Sequence, residues 1–155
     1  MQIKYTKGDA TKPIGEGNKI TVHVCNDIGG WGKGFVMAIS KRWKTPEEAY
    51  RKWYASDDFF QLGEVQYIRV EENLWIANLI GQHRIRKDED GNAPIRYRAI
   101  ESGLKKVVEK AQELKASIHM PRIGCGLAGG KWEIIEPIIQ NTLISNSIEV
   151  TVYDF

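Results

Sequence analysis

The chain has 155 residues, of which 42% are hydrophobic and 27% are charged, and its formal net charge is +2. This length fits one domain, residues 1–155, with its own hydrophobic core, and the composition excludes a disordered chain. The near-balance of acidic and basic side chains argues against a protein that works chiefly by attracting nucleic acid or a membrane surface.

The cysteine content and the start of the chain indicate the compartment. Two cysteines, Cys25 and Cys125, are too few for a disulfide scaffold, and free thiols are typical of a reducing compartment. Met1 leads directly into a strand pattern rather than into a signal peptide. No apolar run approaches the ~20 residues that a bilayer crossing needs. We therefore expect a cytoplasmic protein without a membrane partner.

The first quarter of the chain predicts two strands. Residues 2–6 and 19–25 alternate between side chains of different polarity, as strands do. The alternation in residues 19–25 predicts one face with Ile20, Val22 and Val24, and an opposite face with Thr21, His23 and Cys25.

Two helices are predicted next. The spacing of Val36, Ile39 and Trp43 is helical. A second helix is predicted to begin at Thr45, which would act as the N-cap. Pro46 suits the first helical position, and Glu48 would close a capping box.

The middle of the chain predicts a hairpin, a loop and a long helix. Residues 64–70 and 74–80 flank a turn at 71–73, as in a hairpin. Residues 81–94 are polar and rich in turn-forming residues, so we expect a surface loop. Apolar residues then recur at helical steps from Tyr97 to Leu114.

The last third repeats the order of strand, glycine-rich loop and helix. Residues 117–123 predict a strand, Gly124 to Lys131 a loop, and Trp132 to Ile144 a helix whose first turn is made irregular by Pro137. Residues 148–153 predict a final strand. Six strands separated by helices imply an α/β fold with a mixed sheet and helices on both faces.

Two glycine-rich loops point to the chemistry. Residues 26–35 and 122–131 each contain four glycines, and each loop joins a predicted strand to a predicted helix. Glycine lets backbone N–H groups approach an anion closely, and the helix N-terminus adds positive potential. Ligands of such sheets bind beyond the carboxyl ends of the strands. A strand-to-helix turn that uses glycine for tight packing is the alternative explanation of either loop taken alone.

Several segments together resemble one family. Residues 8–11 (Gly-Asp-Ala-Thr) look like the Gly-Asp-x-Thr element of macrodomains. Residues 23–34 resemble the corresponding segment of the yeast-type ADP-ribose 1″-phosphate phosphatase branch. Residues 120–127 and 151–153 are similar to the terminal ADP-ribose protein glycohydrolase branch. The resemblance spans nearly the whole chain in order, and it implies a macrodomain-like mixed six-stranded sheet with ADP-ribose, or a derivative, as the partner.

The resemblance also implies site residues. Asp9 and Ala10 would contact the adenine, Asn26 and Asp27 the distal ribose, and Tyr153 or Phe155 would lie against the adenine ring. The two glycine-rich loops would hold the two phosphates. The complete set of expected ligand contacts is Asp9, Ala10, Asn26, Asp27, Gly32, Lys33, Gly34, Phe35, Val36, Arg122, Ile123, Gly124, Cys125, Gly126, Leu127, Ala128, Gly129, Tyr153 and Phe155.

The resemblance implies a catalytic route like that of the phosphatase branch. Gln82 and Ala128 stand where the glycohydrolase branch has its lysine and aspartate, and neither can act as a nucleophile or general acid. His23 matches the candidate catalytic histidine of the phosphatase branch, and histidine gains and loses a proton near neutral pH. The alternative for His23 is a hydrogen-bonded strand residue with a supporting role. Cys25 and Cys125 are expected to be small packing residues.

Three functions remain open at this stage. The first is a hydrolase of an ADP-ribose derivative, with ADP-ribose 1″-phosphate as the favoured substrate, and the second is a non-catalytic ADP-ribose-binding module. The third is a nucleic-acid-binding domain, which is disfavoured because acidic residues are interspersed with the basic ones. No histidine or cysteine spacing fits zinc, so we expect no metal site. We also expect no cofactor and a monomeric protein.

Overall fold

A six-stranded sheet organises the protein, whose computed structural model describes all of residues 1–155. The strands are β1 (Lys4–Lys7), β2 (Lys19–Asn26), β3 (Val65–Glu71), β4 (Leu74–Gln82), β5 (Ser117–Met120) and β6 (Val150–Asp154). Their spatial order is β1-β6-β5-β2-β4-β3. The helices are α1 (Phe35–Arg42), α2 (Thr45–Ser56), α3 (Tyr97–Leu114) and α4 (Trp132–Thr142), with a 3₁₀ turn at Ile144–Asn146.

The sheet is mixed, as predicted. All neighbouring strands are parallel except β3 and β4, which form the predicted antiparallel hairpin. β2 lies between β5 and β4 and is largely buried on both faces, because helices cover both sides of the sheet. The carboxyl ends of β2 and β5 are therefore neighbours, and the two glycine-rich loops leave the sheet side by side.

Each face of the sheet supports its own hydrophobic core. The larger core lies under α3 and α4 and includes Ile20 and Val22 of β2. The smaller core lies under α1 and α2 and includes Cys25 together with Ile39 and Tyr50. The predicted alternation along β2 is confirmed, and it directs residue 23 toward the smaller, aromatic-rich core.

Strand β5 is shorter than the sequence predicts. It ends at Met120, whereas residues 117–123 were expected to be extended throughout. Pro121 has no N–H group and cannot continue the hydrogen-bonded ladder between parallel neighbours. The chain turns at this point, so Ile123 and Gly124 belong to the second glycine-rich loop.

The starts of two helices also differ from prediction. Lys44 already has helical backbone angles, so Thr45 lies inside α2, and no side chain caps that helix. The predicted capping box is therefore absent. In α4, the Ile135 N–H donates to the Lys131 carbonyl at 3.1 Å, which makes a regular first turn. Pro137 lies farther along, inside the helix.

Gly103 allows α3 to pack closely on β4. An ideal Cβ at this position would lie 2.5 Å from Cγ of the fully buried Leu79. We expect Gly103→Ala to lower the free energy of unfolding by about 1 kcal/mol. Overpacking typically costs about 1–3 kcal/mol, whereas alanine gains up to about 1 kcal/mol over glycine in a helix.

Chemical denaturation measures this effect. Ser102→Ala is the matched control, because Ser102 is exposed on the same helix and alanine is there free to improve helix propensity. We expect the control to leave stability unchanged or slightly higher. A Gly103→Ala variant as stable as the native protein would contradict the close contact between α3 and β4.

Candidate functional site

A cavity of about 370 Å³ opens between the two glycine-rich loops. Pockets that hold small organic ligands have volumes of this order or larger. Its wall is made of residues from β2, β4, the first loop and the second loop: His23, Val24, Lys33, Gly34, Phe35, Val36, Gln82, Pro121, Arg122, Ile123, Gly124, Gly126, Leu127 and Ala128. The structure thus brings ten of the predicted ligand residues, from both glycine-rich loops and the start of α1, together in one cleft.

Unpaired backbone donors line this cavity from both sides. The N–H groups of residues 33–36 and of residues 126–128 donate to no acceptor of the protein. Residues 33–36 include the start of α1, whose N-cap Gly34 provides no side-chain hydrogen bond. The positive end of the helix dipole therefore adds to the field of the free N–H groups. Such an arrangement favours an anion with several oxygen atoms.

Asn26 organises the first loop. Its Oδ1 accepts hydrogen bonds from the N–H groups of Ile28 and Gly30, at 3.0 and 2.9 Å, and from the Tyr50 hydroxyl at 2.9 Å. Its side-chain nitrogen donates to the Gly30 carbonyl at 2.8 Å. The amide that we expected at a ribose is thus engaged in shaping the loop.

Asp27 fastens the first loop to the segment after β4. Its carboxylate accepts from the Arg84 N–H at 2.7 Å and lies 2.6 Å from Nδ1 of His83. His83 is therefore a partner of Asp27. Neither Asp27 nor Asn26 lies on the cavity wall.

The second loop is held by a tight turn. Gly124 has a φ of 73°, and the Gly130 N–H donates to its carbonyl at 2.7 Å. A Cβ on Gly124 would lie 2.4 Å from Cδ1 of Ile95. Gly126 is different, because an added Cβ there would meet only open space and its φ is not positive. The fold therefore requires glycine at position 124. At position 126 the fold would accept a side chain, and the absence of one leaves open space in the cleft.

Arg122 anchors the start of the second loop to the last strand. It makes two hydrogen bonds to the Asp154 carboxylate, at 2.6 and 3.0 Å. Its guanidinium lies over the rings of Tyr5 and Trp132, at 5.2 and 5.1 Å from their centroids. This predicted ligand residue lies on the cavity wall, but its charge is already paired.

A second cavity, of about 620 Å³, lies along the other side of α1. Asp9 and Phe155, both predicted to contact an adenine, meet there with residues that the sequence analysis missed: Met37, Ala38, Lys41 and Trp43. Asp9 Oδ1 accepts from the N–H and hydroxyl of Thr11, at 2.8 and 2.7 Å. Met37 is exposed on α1, a feature that the structure shows and the periodicity of the sequence does not.

Several predicted ligand residues lie on neither of these two cavities. Ala10 is buried, and its carbonyl accepts from the Thr21 hydroxyl at 2.9 Å. The Tyr153 ring is buried, with its hydroxyl 2.7 Å from Nδ1 of His119 and 3.0 Å from the Ile14 N–H that donates to it. The remaining predicted residues outside both walls are Asn26, Asp27, Gly32, Cys125 and Gly129.

His23 lies on the cavity wall. Its Nε2 is 2.5 Å from Oδ1 of Asn78, and its Nδ1 is buried without a partner. Its ring packs against Trp31 and Phe35, with centroid distances of 5.4 and 5.9 Å. Burial lowers the pKa of His23 to about 4, so the ring is neutral at pH 7 and one of its two nitrogens carries a lone pair.

The other groups near the cleft are poor nucleophiles. Burial raises the pKa of the Cys25 thiol and, less strongly, that of Cys125, which disfavours either thiolate. Gln82 and Ala128 lie on the cavity wall and supply neither a basic amine nor a carboxylate. The protein contains no group of three or more His, Cys, Asp or Glu side chains that could hold a metal ion. None of its helices combines the length and apolar character of a membrane span.

The two buried histidines make stability depend on pH. Desolvation lowers the pKa values of His23 and His119 from 6.5 to about 4. Between these pH values the unfolded chain binds more protons than the folded one, so stability falls as the pH drops from 6.5 to 4. The expected loss is roughly 3 kcal/mol for each histidine, since one pKa unit corresponds to about 1.4 kcal/mol.

Urea unfolding at a series of pH values measures this loss. His119→Gln removes one of the two contributions, so we expect a shallower decline in that variant between pH 6.5 and 4. Equal stability of the native protein at both pH values would contradict the burial of neutral rings.

Comparison with known proteins identifies the family and supports the fold. Residues 22–139 match the family model described as Macro domain. A macrodomain protein from Streptomyces coelicolor is 50% identical, with a TM-score of 0.89 and coverage of 99% of both chains. This likeness confirms the predicted α/β fold and the suspected family.

Two relatives of known name illustrate the range of the family. The ADP-ribose 1″-phosphate phosphatase of Candida albicans is 30% identical over 146 residues, which are 89% of this chain and 92% of the relative. The Chromodomain-helicase-DNA-binding protein 1-like of Mus musculus is 32% identical over 162 residues, which are 99% of this chain. The alignment covers 18% of that relative, so the chain spans less than a fifth of its length.

Proposed function

The chain belongs to the macrodomain family, and from this premise we propose that it binds ADP-ribose and hydrolyses a derivative, with ADP-ribose 1″-phosphate favoured. The observation that carries the proposal is the pair of loops whose unpaired N–H groups, at 33–36 and 126–128, line one cavity. A pyrophosphate has enough oxygen atoms to accept from both loops at once.

The two cavities beside α1 suit the two ends of this ligand. We place the diphosphate at the α1 N-terminus and the adenine in the second cavity, between Asp9 and Phe155. Asp9 Oδ1 is occupied by Thr11, which leaves Oδ2 to accept from the adenine amino group. In this placement Met37 and Ala38 supply apolar contact for the ring.

The distal ribose and its substituent are placed near His23. The neutral ring accepts a hydrogen bond from the attacking water, and the loop N–H groups stabilise the negative charge of the transferring phosphate. Gln82 and Ala128 on the same wall favour this route over one that uses a lysine nucleophile. The name of the Candida albicans relative agrees with a phosphatase.

The same two residues favour the second candidate, a binding module without catalysis. With neither a lysine nor an aspartate at these positions, the cleft would still bind the diphosphate but would lack a side chain that attacks the substrate. In both cases we propose a cytoplasmic monomer that does not use nucleic acid as a partner. The near-balance of charge and the pairing of Arg96 with Asp88 at 3.5 Å support the last point.

A titration and a substrate panel test the proposal. Isothermal titration calorimetry with ADP-ribose is expected to show one site per chain. The panel contains ADP-ribose 1″-phosphate, acetylated ADP-ribose, and ADP-ribosylated protein and DNA, and we expect phosphate release from the first. Binding without any product would favour the binding module, and no binding at millimolar ADP-ribose would contradict both candidates.

A further inference from the structure

A chain of side-chain amides connects His23 to two backbone carbonyl groups of α2. The Gln66 nitrogen donates to the Ala49 carbonyl at 3.0 Å. The Asn78 nitrogen donates to the Pro46 carbonyl at 3.2 Å and to Oε1 of Gln66 at 3.1 Å. Oδ1 of Asn78 then faces Nε2 of His23.

The orientation of both amides is forced by this arrangement. A backbone carbonyl can only accept a hydrogen bond, so the side of Gln66 that faces Ala49 and the side of Asn78 that faces Pro46 must be NH₂ groups. With its nitrogen committed, Asn78 presents an oxygen to His23. Two independent carbonyl anchors therefore lead to the same assignment.

This assignment determines where the His23 proton lies. An oxygen acceptor opposite Nε2 requires an Nε2–H group, so in the neutral ring Nδ1 holds the lone pair. Nδ1 is buried without a partner, although the residue lies on the cavity wall. Buried polar atoms are rarely left unsatisfied, and a hydroxyl or water brought in with the ligand would satisfy this one.

We infer that Asn78, oriented by Gln66, is a positioning residue that holds His23 in the Nε2–H tautomer and reserves Nδ1 to accept from a substrate-bound water or hydroxyl. The inference rests on the proposed function and deepens it. With ADP-ribose 1″-phosphate, the water oxygen bonds to phosphorus and its proton passes to Nδ1. The bond from phosphorus to the ribose oxygen breaks, its electron pair stays on that oxygen, and the proton returns from Nδ1 to it.

Two-bond ¹H–¹⁵N correlation NMR of the imidazole rings at pH 7 reads the tautomer directly. The protein has three histidines, and the signals lost in His23→Gln identify those of His23. We expect the native protein to show the Nε2–H tautomer at His23. This measurement does not depend on turnover.

Three variants complete the test. Asn78→Leu keeps a similar size and removes the acceptor opposite Nε2, so we expect mixed His23 tautomers and turnover lowered by about 100-fold or more, with ADP-ribose binding retained. Gln66→Met, at a partly exposed residue, removes the Oε1 acceptor and leaves the Pro46 carbonyl to hold the Asn78 NH₂ group. We therefore expect a smaller shift in the His23 tautomers and a smaller loss of turnover. Asn73→Leu makes the same chemical change at an exposed turn residue and is expected to alter neither readout.

The outcomes separate the inference from the proposed function. An Nδ1–H tautomer in the native protein would overturn the inference, and so would folded Asn78→Leu and Gln66→Met variants with native His23 signals. Native protein with the expected tautomer that hydrolyses no ADP-ribose derivative would instead contradict the hydrolase proposal.

Discussion

Gly126→Val is expected to weaken ADP-ribose binding by about 100-fold or more, which corresponds to about 2.7 kcal/mol, while the melting temperature of the free protein stays unchanged. Gly126 lies on the wall of the cavity between the loops, and an added Cβ would meet open space. A branched side chain at this point would occupy the volume assigned to the diphosphate. It would also keep phosphate oxygens away from the N–H groups of residues 126–128. Calorimetry measures the affinity, and a thermal melt measures the stability.

Gly124→Val gives the opposite pattern and serves as the comparison. Its φ of 73° and the 2.4 Å approach of its Cβ to Ile95 strain the fold itself, so we expect a lower melting temperature. Gly126→Ala is the graded control, with a smaller loss of affinity than valine. If Gly126→Val binds ADP-ribose with native affinity, the placement of the diphosphate in the cavity between the loops is wrong.

His23→Gln is expected to lower turnover of ADP-ribose 1″-phosphate by about 100- to 10,000-fold, the range typical for loss of a general base. Glutamine is similar in size and retains polar atoms, but it cannot take a proton at neutral pH. ADP-ribose affinity is expected to change little, because the diphosphate is assigned to backbone donors of the two loops. Phosphate release under single-turnover conditions measures the effect on the chemical step.

His119→Gln is the matched control for this experiment. It also replaces a buried histidine whose pKa is lowered to about 4, but His119 does not line the cavity. We expect its turnover to stay native at a lower stability. Equal turnover in His23→Gln and native protein would show that His23 has a supporting role in the strand, as the alternative interpretation of the sequence holds.

The order of elements and the position of the cleft were predictable because their signals are local. Alternation along residues 19–25 indicated a strand with an aliphatic face and a more polar face, and the structure shows that this strand lies between two cores. The glycine-rich segments followed predicted strands, and parallel neighbours bring such ends together. The end of β5 and the start of α2 were predicted less accurately. Each is set by one residue, Pro121 and Lys44, and the periodicity of the sequence does not show the effect of a single residue.

The sequence by itself determined the α/β class, the family resemblance and the two loops that face each other across the cleft. Only the tertiary structure decided what the polar side chains near the cleft do. In the structure, Asn26 forms hydrogen bonds within its own loop, and Asp27 accepts a hydrogen bond from the segment after β4. The structure also joins residues 23, 66 and 78 into one hydrogen-bonded chain. The physical reason is that periodicity and glycine content act over a few residues, whereas hydrogen-bond partners are set by strands that pair across tens of residues.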